Sequence, residues 1–271
     1  MNRERVTITI KDDLLKQVDR LVDGINIRSR SQAIEHLLSK LLSDFRLKNA
    51  FLLAGGKKSS LLLNNQPKFL VKINGKPILQ LIMEEIHGYN VNNFFVFADS
   101  FSAEIQREMR QKNLPFAVDF LSAEKPIGTV KPLLMARQKL QDTFLVAYAD
   151  TIASINLNDM LAFHRKNNAI ATMALTTVSN PKDFGVAVLQ GNKITEFSEK
   201  PKTEAHSYLI NAGYFLFEPE IFKHLGKNMQ SIEKDLFPSL AEKGLLYGYP
   251  FQGKYFNINT RKDLENAVAL L

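Results

Sequence analysis

Four apolar runs, AFLL (50–53), FFVFA (94–98), FLVAY (144–148) and IATMAL (170–175), each break off into a loop. Stretches with helical spacing lie between them, such as PILQLIMEEIHGY (77–89) and TVKPLLMARQKLQ (129–141). Short continuous apolar runs suit strands buried on both faces. Their alternation with amphipathic helices predicts an α/β domain around a mainly parallel sheet. No internal repeat, heptad array or low-complexity tract points elsewhere. In such sheets ligands bind beyond the carboxyl ends of the strands, and the residues with chemistry fall there. Gly55-Gly56 follows the first run, Asp99 the second and Asp150 the third; Phe184-Gly185-Val186 and Glu199-Lys200-Pro201 come later. Glycines without side chains let backbone N–H groups approach a phosphate or a base.

The first 45 residues have another character. RVTITI (5–10) alternates, with Val6, Ile8 and Ile10 on one face and Arg5, Thr7 and Thr9 on the other, the period of a half-buried strand. Asp12 or Asp13 would cap a helix with the stripe Leu14, Leu15, Val18, Leu21, Val22 and Ile25. Gly24 and Asn26 fit a turn. Ser31 would cap a second helix with the stripe Ile34, Leu37, Leu38, Leu41, Leu42 and Phe45. One strand and two helices make too small a core, so a two-fold homodimer through paired strands is expected. FRLKNA (45–50) joins the two parts with little linker, dividing the chain into 1–46 and 48–271.

Composition bounds the setting. The 271 residues contain no Cys, which removes disulfides, thiolate zinc sites and cysteine nucleophiles and fits a reducing compartment. No apolar run approaches the roughly 18 residues of a membrane span, and MNRERVTITIKDD has no signal-peptide core, so a cytoplasmic protein without membrane contact is expected. A formal charge of +7 suits polyanionic partners. The five His (36, 87, 164, 206, 224) show no metal-ligand spacing; His164 reads as packing, and Asp99 as solvated or capping. The 19 Phe sit mostly in apolar runs and read as core, so single-strand nucleic-acid binding has no support.

The N-terminal pattern resembles the ribbon-helix-helix family of DNA-binding proteins. The resemblance implies that Arg5, Thr7 and Thr9 read bases of double-stranded DNA in the major groove. Ser29, Arg30 and Ser31, at the second helix's start, would hold a phosphate. Ten Lys/Arg against seven Asp/Glu over residues 1–48 leave only +3, so a bare dimerisation handle is the other reading.

From about residue 49 the chain resembles the sugar-1-phosphate nucleotidyltransferases, or nucleotide-sugar pyrophosphorylases, with their Rossmann-like fold. LAGG (53–56), PK (67–68), GKP (75–77), PIGTV (126–130), YADT (148–151), FGVAVL, FSEKP, NAGYFLF and the closing GKYFNINTRKDLENA stand in family order. The resemblance implies that Gly55 and Gly56 hold a nucleotide, that Gly128 lines the nucleoside side, and that Lys68 neutralises the α-phosphate. Gly185, Glu199 and Lys200 would hold the sugar and its phosphate, and Asp150 would bind Mg²⁺.

Four departures qualify that reading. KKSS (57–60) replaces the second glycine and the arginine of the family's loop, leaving Lys57 or Lys58 to meet the β- and γ-phosphates. Ten residues, against about twelve in the family pattern, separate the glycine pair from Pro67. Ala149 replaces a glycine, and the second metal carboxylate falls on Asn257, a weaker ligand. Two functions stay open: a DNA-binding regulator that binds a nucleotide or nucleotide sugar, or an active transferase that joins a nucleoside triphosphate to a sugar 1-phosphate. No further domain is expected after a closing helix near Leu271.

Overall fold

A computed structural model of the chain describes residues 5–44, 46–202 and 206–270. The chain forms two compact units, Met1–Arg46 and Leu47–Leu271.

The small unit holds helices α1 (Asp12–Asp19) and α2 (Arg30–Asp44). Residues 5–10 form no strand in the single chain, against the sequence expectation. A ladder needs a second strand, and none of the described residues pairs with this segment. Helix α1 also stops before the end of its apolar stripe. Asp23 Oδ1 accepts the backbone N–H groups of Ile25, Asn26 and Ile27 at 2.8, 2.8 and 2.9 Å and folds that segment into a turn. Lys11, not Asp12 or Asp13, occupies the N-cap position, and the two acids lie in the first turn, where they complement the helix dipole. The cap of α2 is Ser29 rather than Ser31: its Oγ accepts from Gln32 N–H at 3.3 Å. Val18 and Ala33 are buried, whereas Val6 and Ile25 are 74% and 76% exposed. Most of the small unit's apolar stripe is therefore uncovered in one copy. The side chains of Leu41, Leu42 and Phe45 lie outside the described residues.

The large unit begins with β1 (Asn49–Leu53). Two tight hairpins follow, β2 (Leu62–Leu63) with β3 (Gln66–Pro67) and β4 (Lys72–Ile73) with β5 (Lys76–Pro77). Their turns place Asn64 and Asn65, then Asn74 and Gly75, at positive φ, as two-residue hairpin loops require. Next come α3 (Ile78–His87), β6 (Asn93–Ala98), α4 (Ser102–Arg110), β7 (Ala117–Ser122), α5 (Val130–Met135), β8 (Phe144–Tyr148), β9 (Thr151–Ala153) and α6 (Leu157–Lys166). The rest comprises β10 (Ala171–Thr177), β11 (Gly185–Gln190), β12 (Lys193–Glu199), β13 (Leu209–Phe217), α7 (Phe237–Glu242), β14 (Leu246–Pro250), β15 (Tyr255–Asn257) and α8 (Arg261–Leu270).

The main sheet runs β10-β14-β12-β11-β13-β8-β1-β6-β7. Its β8-β1-β6-β7 half is parallel, as expected. Beyond β8 the pairing is largely antiparallel, through β13, β11 and β12, so the sheet is mixed. Side chains alternate between two cores. Ala50 and Leu52 face α3, α4, α6 and α8, while Phe51 and Leu53 face α5 and α7.

His164 is fully buried, as its packing role predicts. Its Nδ1 lies 2.7 Å from Thr172 Oγ1 and its Nε2 3.1 Å from Glu218 Oε1, which also accepts from Thr143 Oγ1 at 2.7 Å. Burial opposes the charge of Glu218, but the bonds from His164 and Thr143 outweigh it and hold the carboxyl below the usual glutamate range. A depressed carboxyl contributes stability above its unfolded pKa, about 4.3, and loses it as pH falls through the folded value. Glu218→Gln should therefore unfold at lower denaturant than the wild type at pH 7, with the gap closing towards pH 3.

Candidate active site

The glycine loop is built differently from a phosphate cradle. Gly56 donates its N–H to both oxygens of Asp99, at 2.9 and 3.1 Å, and Ser100 Oγ donates to Gly56 O at 3.2 Å. A Cβ on Gly55 would lie 2.7 Å from Phe97 Cε1 and 3.0 Å from Asp99 Oδ2, so this glycine is needed for packing against β6 and its loop. Asp99 is buried and caps the loop, which takes from Gly56 the donor a phosphate would use. Lys57 and Lys58 are exposed, and Lys58 Nζ sits 5.2 Å from the centre of the Phe101 ring.

A separate cleft of about 220 Å³ collects most of the other expected residues: Asp150, Gly185, Glu199, Lys200 and Asn257 all line it. Gly185 must be glycine, because a Cβ there would lie 2.4 Å from Phe197 Cζ and 2.9 Å from Glu199 Oε2. Lys200 adopts φ +49°, a left-handed conformation costly for a side-chain-bearing residue, and its N–H donates to Phe184 O at 3.0 Å. Burial pushes the Glu199 carboxyl up, against the opposing pull of Lys200 and Lys234.

Lys68 is 5% exposed and does not line the cleft. Its Nζ sits 2.5 Å from Asp150 Oδ2 and donates to Asn259 Oδ1 at 2.9 Å, while Asn259 Nδ2 donates to Asn257 Oδ1 at 2.9 Å. This donor set does not fit Mg²⁺. One carboxylate is already neutralised by an ammonium, and the second position is an amide engaged by its neighbour.

Gly128 does not line the cleft. It has φ +80°, and a Cβ would lie 2.3 Å from Gln230 O, so it serves a close backbone approach. The segment it opens is nonetheless latched to the cleft: Thr129 Oγ1 donates to Glu233 Oε2 at 3.2 Å and accepts from Ile232 N–H at 2.8 Å. Glu233, with its carboxyl pushed up by burial, lines the cleft. Sequence reasoning missed it, as it missed Tyr148, Asn211 and Asn259 of the same wall. Tyr148 and Asn211 lay within the YADT and NAGYFLF segments and Asn259 two residues beyond Asn257, whereas Glu233 lay in no motif.

In the small unit, Arg5, Thr7, Thr9, Ser29, Arg30 and Ser31 are all exposed. Arg30 is engaged: its Nε and Nη2 donate to Asp19 Oδ1 and Oδ2 at 2.6 and 2.8 Å.

Residues 49–268 match the model of the family described as nucleotidyl transferase. The chain belongs to that family. Residues 4–43 match the ribbon-helix-helix protein, copG family, model. A mannose-1-phosphate guanylyltransferase catalytic subunit beta of Danio rerio is 34% identical over 230 residues, 82% of this chain and 64% of that one. A mannose-1-phosphate guanyltransferase of Yarrowia lipolytica is 33% identical, over 75% of this chain and 58% of its own. The chain thus spans less than two thirds of the length of these relatives. The crystal structure of HddC from Yersinia pseudotuberculosis complexed with GMP-PN shares the fold, with TM-score 0.70 and 20% identity over 82% of this chain and 99% of that one. No helix among the described residues is long and apolar enough to cross a membrane.

Tyr148 Oη is the one buried side-chain N or O atom among the described residues without a hydrogen-bond partner, and its residue lines the cleft. The atom is closed to solvent, so a ligand oxygen would satisfy it only where binding shifts the Tyr148 ring. Tyr148→Phe should weaken ligand binding by about 1 kcal/mol in calorimetry, with thermal stability unchanged or raised, because the free protein loses no bond.

Proposed function

We propose that the large unit transfers a nucleotidyl group from a nucleoside triphosphate to a sugar 1-phosphate. The carrying observation is the single cleft in which Asp150, Gly185, Glu199 and Lys200 converge on a nucleotidyltransferase fold. The names of the relatives make GTP and mannose 1-phosphate the first pair to test. A phosphate oxygen of the sugar attacks the α-phosphorus in line. The new O–P bond forms as the bond to the bridging oxygen of the β-phosphate breaks, and pyrophosphate leaves with its charge. No covalent protein intermediate is needed, only positioning and cations. Lys200 supplies one cation at the cleft wall, and Lys57 and Lys58 supply two more on the loop. The donor set at Asp150 and Asn257 does not fit Mg²⁺.

A second reading, binding without turnover in a ligand-linked regulator, is favoured by the Asp99 cap on Gly56 N–H. A panel of nucleoside triphosphates and sugar 1-phosphates, followed by pyrophosphate release, separates the two. Turnover at about 1–1000 per second supports transfer. Saturable binding with no pyrophosphate supports the regulator.

For the small unit we propose a homodimer that binds double-stranded DNA through Arg5, Thr7 and Thr9. Their exposure and the uncovered apolar stripe support it. Arg5→Ala should cost roughly 1–3 kcal/mol at a selected operator and relax base preference. Unchanged affinity for every fragment would leave only a dimerisation handle.

A further inference from the structure

We propose that Lys68 is a resident cation in the place a divalent metal would take, so that the cleft binds its phosphate ligand without metal. This rests on the reading above only in assigning the cleft a phosphate-bearing ligand.

The argument starts from the buried ammonium. Lys68 is 5% exposed, and a buried ammonium must keep its acceptors. It has donors only, so Asn259 must turn its Oδ1 towards it. That leaves Asn259 Nδ2 facing away, and Asn257 must present its Oδ1 to it. One ammonium therefore fixes both amides, and with Asp150 it closes a network of four side chains with no net charge. A divalent ion needs several oxygens at about 2.0–2.1 Å. Here Asp150 Oδ2 holds an ammonium at 2.5 Å, which would repel an ion approaching that carboxylate, and Asn257 Oδ1 already accepts a bond. Had Asn257 been a carboxylate, the cluster would carry a net negative charge that a cation could offset. As an amide it offers none.

The test is Mn²⁺ binding by the full chain, followed by electron paramagnetic resonance. The wild type should show no site tighter than millimolar, and Asn257→Asp with Asn259→Gly should bind Mn²⁺ at least about tenfold tighter. Asn257→Asp alone, with the same expectation, serves if the double variant does not fold. A wild-type site that Asp150→Asn abolishes overturns the proposal. Calorimetry with mannose 1-phosphate is the second arm. Equal affinity in EDTA and in excess Mg²⁺ supports the proposal, and binding in Mg²⁺ alone overturns it. Absence of pyrophosphate release would sink the transfer reading and leave this test standing, because the Mn²⁺ measurement needs no turnover.

Discussion

The large unit depends on how strand β13 is seated. It pairs antiparallel with β8 from Tyr214↔Ala147 to Phe217↔Phe144, touches β11 at Val186↔Ile210, and also pairs with β10. It is therefore the seam between the parallel half of the sheet and the antiparallel half. The seam is irregular where the cleft lies. Gly213 has φ +76°, its N–H donates to Asn211 Oδ1 at 2.7 Å, and the register with β10 slips between Met173 and Leu175. A Cβ at Gly213 would lie 2.9 Å from Tyr148 Cδ2. The bulge lets Tyr148 stand against the strand, and Tyr214 Oη then donates to Thr151 O at 3.1 Å. A regular strand would bring a side chain into the space that Tyr148 now fills.

The charged groups of the cleft differ from those behind its wall and on the glycine loop. Burial pushes the carboxyls of Glu199 and Glu233 above the usual glutamate range. Lys68 and Asp150 cancel, Asn257 adds no charge, and Asp99 places an acid on the separate glycine loop. A triphosphate brings about four negative charges and needs nearby cations to hold them in a site of low dielectric. The exposed cations Lys57, Lys58 and Lys200 are point charges without the fork of an arginine, and solvent screens them. For the proposed transfer, the phosphates would therefore depend on these surface lysines.

Three strands of the parallel half could be read from the sequence because burial on both faces writes itself as continuous apolar runs: AFLL and FLVAY became β1 and β8 within a residue, whereas the half-exposed edge strand β7 gave no such run. Strand direction beyond β8 could not, since an apolar run carries no sign of whether its neighbour is parallel. The β4–β5 hairpin was legible in the Asn74-Gly75 pair, a turn signal that the GKP resemblance obscured. The site divided in the same way. Residues in local motifs, such as Gly185 and Glu199, reached the cleft. What Asp99, Glu233 and Asn259 do arises from contacts with residues far away in the chain, here Gly56, Thr129 and Lys68, and no local spacing encodes them. The α2 cap is Ser29 and not Ser31, a shift of one helical half-turn of the kind element boundaries invite.

Joining these units in one chain has a thermodynamic consequence. The small unit buries Val18 and Ala33 but leaves Val6, Ile8 and Leu38 at least half exposed, so its folded form gains most from a second copy. If it binds DNA as the proposed dimer, that binding is tied to the concentration of dimer rather than of chain. A ligand in the cleft changes DNA affinity only if it binds the dimeric or DNA-bound state more tightly than the other, whatever its absolute affinity. Tight binding in the cleft is therefore no argument for regulation. A difference in ligand affinity between free and DNA-bound protein is, and by reciprocity it equals the change in DNA affinity that the ligand produces.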